Sequence, residues 1–355
     1  MRRPLAAGLL AAGALVALGC TAVLGARGWP WPSPTAGTRQ DLEVVRRAGF
    51  AMGTFVQVVA AGPGAQAAAD AALQEIERLE RLLDRFDPAS PVSAINAQAG
   101  RGLVEVPAEV GEVVALALDI ARRTGGAFDP TVAPLVDLWG FGSVGQGEPP
   151  SRPPSPQAIE QVRRQVDYTA VRLEREGDVV RVGLTRAGMA LDLGGIAKGY
   201  AADRAVAVLR AGGVSSALVD VGGEVAVLGG RPATAGSRKG GESWRVGIRH
   251  PRDPQGLLTT LELTTGAVAT SGDYERFFEW EGRRYHHLID PRTGWPATGL
   301  ISVSVLHESA AVADALATAV MVLGPHRGQA LVREWPGAQA LLVDESLRVT
   351  RVQGP

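Results

Sequence analysis

Residues 191–205 read LDLGGIAKGYAADRA: an apolar stretch, two adjacent glycines, then a helical pattern with Lys198 in its first turn. A strand must stop at Gly194-Gly195 and a helix must begin almost at once, so the chain has to place a bare helix start beside a strand end. Unpaired amides at such a point attract anions. The stretch is neither G-x-x-x-x-G-K-[ST] nor G-x-G-x-x-G, so the two common nucleotide fingerprints are absent. What meets Asp192, Gly195 and Lys198 has to be read from the rest of the chain.

The 355 residues carry a formal net charge of −1 and are 46% hydrophobic, enough for a large core. That neutrality excludes a nucleic-acid binder working by phosphate neutralisation. Forty-five glycines and 23 prolines against 5% aromatic residues predict many tight turns. At the N-terminus, Arg2 and Arg3 precede an apolar run from Leu5 to Leu18, too short for a comfortable membrane span and suited to a signal-peptide core. Cys20, the only cysteine, closes ALGC, the setting of a lipidated cysteine. Residues 1–19 are therefore expected to be a signal segment, 20–45 a Pro/Gly/Ser/Thr-rich tether, and 46–355 one domain. A single cysteine also rules out a disulfide within the monomer.

Strand and helix signals alternate through that domain. Strands are expected at 54–61, 179–184, 215–221, 224–229, 244–249, 257–264 and 300–306. Helices are expected at 65–86, from Pro107 to Gly125, and at 197–211, 309–323 and 326–334. The first helix sets Ile76, Leu79, Leu83 and Phe86 on one face, and the second Val110, Val113, Val114, Ala117 and Ala121. Adjacent strand pairs, such as 257–264 with 267–270, predict antiparallel pairing. Residues 143–156 read as a surface excursion. These features predict an α+β class: a single mixed domain of largely antiparallel sheets with interspersed helices.

Chemistry-bearing residues collect in four stretches: AMGTF (51–55), TGGAFDPTVAPLVDLWGFG (124–142), the motif at 191–205, and residues 266–324. Asp314 and Thr318 sit at i and i+4 on an apolar helix and project from one face. A carboxylate and a hydroxyl one turn apart suit Mg²⁺; the bland reading is a surface Asp with a back-bonded Thr. Asp290 in HHLIDPRTG and Asp129 in FDPTV both precede a proline and suit loop caps. His287 is one of five histidines and, taken alone, reads as structural. Gly222-Gly223-Glu224 reads as a tight hairpin, with Glu224 either solvated or aimed at a ligand.

In order and spacing, AMGTF, TGGAFDPTVAPLVDLWGFG, LDLGGIAKGYAADRA, LVDVGGEVAVLGG, WRVGIRHP, AVATSGDYERFF, HHLIDPRTGWPA and ADALATAVMVLG resemble the ApbE family of FAD:protein FMN transferases. The resemblance implies that FAD is cleaved at its pyrophosphate. The FMN half would join a threonine or serine hydroxyl of an acceptor flavoprotein, AMP would leave, and Mg²⁺ would be required. It implies FAD contacts from Met52, Phe86, Phe128, Asp129, Asp192, Lys198 and His287. It implies a metal held by the Gly195 carbonyl, Asp314 and Thr318. The base that takes the acceptor proton would be Asp290 or Asp192. An exported, lipid-anchored form facing the periplasm or extracytoplasmic side and an acceptor in a membrane redox complex also follow from it. Two alternatives use the same residues: a Mg²⁺-dependent FAD pyrophosphatase giving FMN and AMP, and a non-catalytic periplasmic FAD-binding lipoprotein.

Overall fold

A computed structural model describes residues 44–142, 152–232 and 242–355. The signal segment, Cys20 and nearly all of the tether lie outside the described residues, as does most of the 143–156 excursion. Along the chain come β1 (Val44–Ala51), β2 (Thr54–Ala61), α1 (Ala65–Leu83), α2 (Pro91–Ala97), β3 (Leu103–Val106), α3 (Ala108–Arg123), α4 (Ala133–Leu138) and α5 (Pro156–Arg163). Next are β4 (Val171–Glu176), β5 (Val179–Leu184), α6 (Ala197–Ala211), β6 (Ser216–Val221), β7 (Glu224–Leu228), β8 (Trp244–His250) and β9 (Asp253–Leu263). The remainder are β10 (Thr265–Gly272), β11 (Phe277–Trp280), β12 (Arg283–His286), β13 (Leu300–His307), α7 (Ala310–Glu334), β14 (Gln339–Asp344) and β15 (Val349–Gln353).

Eight strands form the central sheet in the order β1-β2-β6-β7-β10-β13-β14-β15. Every paired strand in it is antiparallel, which is the α+β class the sequence predicts. One face carries α1, α6 and α7. The buried stripe of α1 is Ala65, Ala68, Ala69, Ala72, Ile76, Leu79 and Leu83, recurring at steps of three and four. The other face is covered by the β8–β9 ribbon, whose Trp244, Val246 and Ile248 pack on Val59, Val225, Val227 and Val268.

That ribbon corrects one expectation. Strands β9 and β10 do not pair with each other: β9 pairs with β8, and β10 lies between β7 and β13. Only Thr264 separates them, too short for even a two-residue hairpin, so the chain crosses from ribbon to sheet instead of reversing. The first helix also ends earlier than predicted. Asp84 turns to extended backbone at ψ 111° and its carboxylate accepts the Phe86 amide at 2.8 Å, so Phe86 leaves the stripe and is 49% exposed. The two C-terminal helices emerge as the arms of α7, separated where Gly324 takes φ 74° and ψ −177° before Pro325.

Candidate active site

The site lies at one end of the sheet, where the β1–β2 and β6–β7 turns and the end of β10 come together below α6 and α7. The β1–β2 turn is Met52-Gly53, with φ 53° and 69°. Positive φ at both central residues matches the twist of a hairpin, but it strains a methionine. Glu80 of α1 holds it there by accepting the Met52 amide at 2.5 Å. The neighbouring turn, Gly222-Gly223, is tied across by the Gly222 amide donating to the Phe55 carbonyl at 3.1 Å.

The motif at 191–205 delivers its residues through two anchors. Asn96 of α2 clamps Leu191, donating to its carbonyl at 3.0 Å and accepting its amide at 2.7 Å. Farther on, Asp203 caps α7 by accepting the amides of Ala310 (2.8 Å) and Ala311 (3.0 Å) and the Ser309 hydroxyl (2.7 Å). Between them Gly199 presses α6 onto α7: a Cβ there would sit 2.2 Å from the Ala310 carbonyl oxygen. Only glycine allows that approach, and it lets the Gly199 amide donate to Asp314 Oδ2 at 3.1 Å.

At this crossing Asp314 is 5% exposed and Glu224 3% exposed, while Lys198 reaches Glu224 Oε1 at 2.7 Å. Glu224 Oε2 is buried with no hydrogen-bond partner among the described residues. Two buried carboxylates thus face one ammonium. Burial pushes the Glu224 pKa up to about 8, with Lys198 opposing and the Asp314 charge adding to the rise. Burial likewise raises Asp314, against the pull of Lys198 and the Gly199 amide. A Cβ on Gly195 would lie 3.3 Å from the Phe128 ring and 3.5 Å from Thr318 Oγ1, and Thr318 in turn is 3.3 Å from Ser271 Oγ. Gly195, Phe128, Thr318, Asp314, Lys198 and Glu224 therefore meet, although they come from four separate stretches.

Asp192 stands beside this group. Its Oδ1 accepts the Gly194 amide at 2.8 Å, and its Oδ2 accepts Arg85 Nε at 3.1 Å. Arg85 also holds Asp137 at 2.5 and 3.1 Å, and its guanidinium stacks 4.2 Å from the centre of the Phe86 ring. The His287 amide and Nδ1 both reach the Arg276 carbonyl, at 3.0 and 3.3 Å. Burial, then the charge of Arg276, hold its imidazole pKa well below the ordinary histidine value, so it stays neutral.

Two predicted site residues are committed elsewhere. Both oxygens of Asp129 serve its own loop, accepting the Thr131 amide (2.8 Å) and hydroxyl (2.6 Å) and the Tyr168 amide (3.2 Å). It shapes the turn that presents Phe128. Both oxygens of Asp290 are bridged by Arg292 at 2.8 Å each, which closes the IDPRTG loop. Asp290→Asn is accordingly expected to lower thermal stability by about 1–3 kcal/mol while leaving kcat near wild type; a large kcat loss at unchanged stability would restore Asp290 as a base. Sequence reading missed Arg85, Arg276 and Ser271 as site residues, and left Glu224 between two roles. Their signal lies in no spacing, because each acts with a partner far along the chain.

The sheet end thus gathers a strained turn, hard-oxygen donors, two buried carboxylates around one ammonium, and flanking arginines. Residues 52–342 match the model of the ApbE family, and the chain belongs to that family. It is 38% identical over 333 residues to the FAD:protein FMN transferase of Treponema pallidum, covering 90% of both chains. The ApbE protein crystal structure from Thermotoga maritima superposes with a TM-score of 0.78 at 35% identity, covering 87% of this chain and 97% of that one. The apo flavinyl transferase ApbE of Pseudomonas stutzeri gives 0.75 at 34% identity, covering 88% and 95%.

Proposed function

We propose that this chain is a FAD:protein FMN transferase that moves FMN from FAD onto a threonine or serine hydroxyl of an acceptor flavoprotein. Beyond the family membership, the observation that carries this reading is the pair of buried carboxyl groups, Asp314 and Glu224, around Lys198 beside the Gly195 turn. In the reaction the acceptor oxygen attacks the FMN-side phosphorus, the bond to the bridging oxygen breaks, and AMP leaves.

The residues fit Mg²⁺: Asp314, Thr318 and the Gly195 carbonyl are hard oxygen donors, and the buried carboxylates outnumber the one ammonium between them. Those three would hold the ion, which when bound supplies positive charge to offset the pyrophosphate. Lys198, fixed by Glu224 at 2.7 Å, keeps a positive group beside the same place. Asp192 is rigid because Gly194 and Arg85 hold both its oxygens, which suits a ligand contact better than a proton acceptor. Neutral His287 is in the right protonation state to take the hydroxyl proton at neutral pH, so we assign it the role first given to Asp290 or Asp192. Met52 and Phe128 offer apolar surface to the flavin half.

The deciding experiment incubates the chain with FAD, Mg²⁺ and a candidate acceptor subunit. Flavin fluorescence on the acceptor in a denaturing gel, with one AMP released per flavin attached, supports transfer. FMN and AMP released with no labelled acceptor would point to the pyrophosphatase, and bound FAD without turnover to the carrier. The N-terminal reading makes the enzyme an exported lipoprotein held to the membrane at Cys20, with its acceptor in a membrane redox complex. Labelled palmitate should enter the full-length protein and not Cys20→Ser; equal labelling of both, or of neither, removes the anchor.

A further inference from the structure

Arg276 lies in DYERFF, between the end of β10 and the start of β11. Its backbone is fixed by the two His287 contacts, and its Nη1 donates to the Phe141 carbonyl at 2.9 Å. Several other arginines of this half of the chain and of the site hold carboxylates. Arg249 pairs with Glu275, Arg252 and Arg284 with Asp273, Arg292 with Asp290, and Arg85 with both Asp137 and Asp192. Arg276 forms no ion pair among the described residues, although it is near enough to Asp192 and Arg85 to feel both charges.

A guanidinium has five N–H donors in a planar fork, and one carbonyl contact leaves most of them unspent. Neighbouring protein partly dehydrates the fork and lowers its pKa, which an anionic partner would offset. Asp192 is not that partner: its oxygens accept from the Gly194 amide and Arg85, and among the described residues no hydrogen bond or ion pair joins it to Arg276. The residue as a whole remains exposed, so an incoming ligand can reach the free donors. Its neighbours Asp192 and His287 place Arg276 at the candidate site rather than on a remote surface. A fork of this kind matches two oxygens of one phosphate.

We propose that Arg276 binds phosphate oxygens of the FAD pyrophosphate and so positions the scissile group against Lys198 and the Gly195 turn. The proposal rests on the FMN-transfer reading. Its role is ground-state recognition of the phosphate, with the Phe141 contact aiming the fork.

Equilibrium dialysis of FAD and of riboflavin, which has the same ring and no phosphate, tests it on the full chain. Arg276→Gln should weaken FAD by roughly tenfold to a hundredfold, the loss expected for one charged hydrogen bond, and leave riboflavin affinity unchanged. Arg276→Lys, which keeps the charge without the fork, should fall between. Equal losses for FAD and riboflavin, or a matching drop in thermal stability that accounts for them, would make Arg276 a structural strut and overturn the proposal. Undiminished FAD affinity in Arg276→Gln would overturn it as well, and would leave the transferase reading intact. A wild-type chain that binds no FAD would remove both.

Discussion

Asp314→Asn abolishes FMN transfer, with an expected loss of at least roughly 10²–10³-fold, while the chain stays folded. The amide keeps the shape and an oxygen able to accept the Gly199 amide, which Asp314 Oδ2 takes at 3.1 Å in the native chain. What it removes is the charge. A side chain 5% exposed beside Glu224 carries that charge at a cost, since burial raises its pKa, so the metal-free protein should melt at the same temperature or higher. Loss of activity without loss of stability is the signature of a group retained for function. Chelation by EDTA should reproduce the loss in the native protein, and added Mg²⁺ should restore it. Thr318→Val is expected to be milder, because a hydroxyl contributes no net charge. Wild-type rates in Asp314→Asn would sink the metal assignment.

Removing Lys198 has the second-largest expected effect, and it falls on stability as well as rate. Among the described residues, Lys198→Met strips the only counter-charge from two buried carboxylates. Breaking such a pair costs about 3–5 kcal/mol when the surviving charge must stay ionised. The chain escapes part of that cost by protonating Glu224, so the penalty depends on pH. In the folded protein the Glu224 pKa stands at about 8 against 4.5 for the free side chain. The unfolded chain therefore gives up this proton first, and folded-state stability drains as pH rises from about 4.5 to about 8, then levels. Lys198→Met should steepen that decline and carry it to higher pH. Glu224→Gln should make it shallower, because only Asp314 is left in the cluster with a raised pKa. Urea midpoints of the metal-free proteins across this range measure all three. A flat profile in the native chain would contradict the buried, under-compensated pair.

Local chemistry decided much of this protein before folding. Strand Thr54–Ala61, helix α6 and the two arms of α7 follow from period and punctuation within their own segments, and Gly324-Pro325 breaks α7 as the sequence predicts. The spacing of Asp314 and Thr318 puts both on one helical face whatever surrounds them. The ordered motifs identify the family for the same reason: each is a short, self-contained pattern.

Three things had to wait for the tertiary structure. The path of β9 and β10 depends on whether an apolar ribbon finds an apolar sheet face to cover, which no window of residues contains. Phe86 continues the apolar spacing of α1 but lies beyond its end, because the Asp84 carboxylate takes the Phe86 amide and turns the backbone out of the helix. Above all, the sequence supplies titratable residues without saying which are spent. Asp129, Asp192 and Asp290 look alike as acids next to turns. Yet Asp129 is consumed by Thr131 and Tyr168, Asp290 by Arg292, and Asp192 is shared between a turn amide and Arg85. The sequence by itself determined many of the elements, the family and the ligand types on offer, because those depend on neighbours within a turn or two. Which carboxylate stays under-compensated, and which site arginine forms no ion pair among the described residues, was decided only by the loops that meet at the sheet end. Electrostatic energy falls with distance in space, and the chain does not state that distance until it has folded.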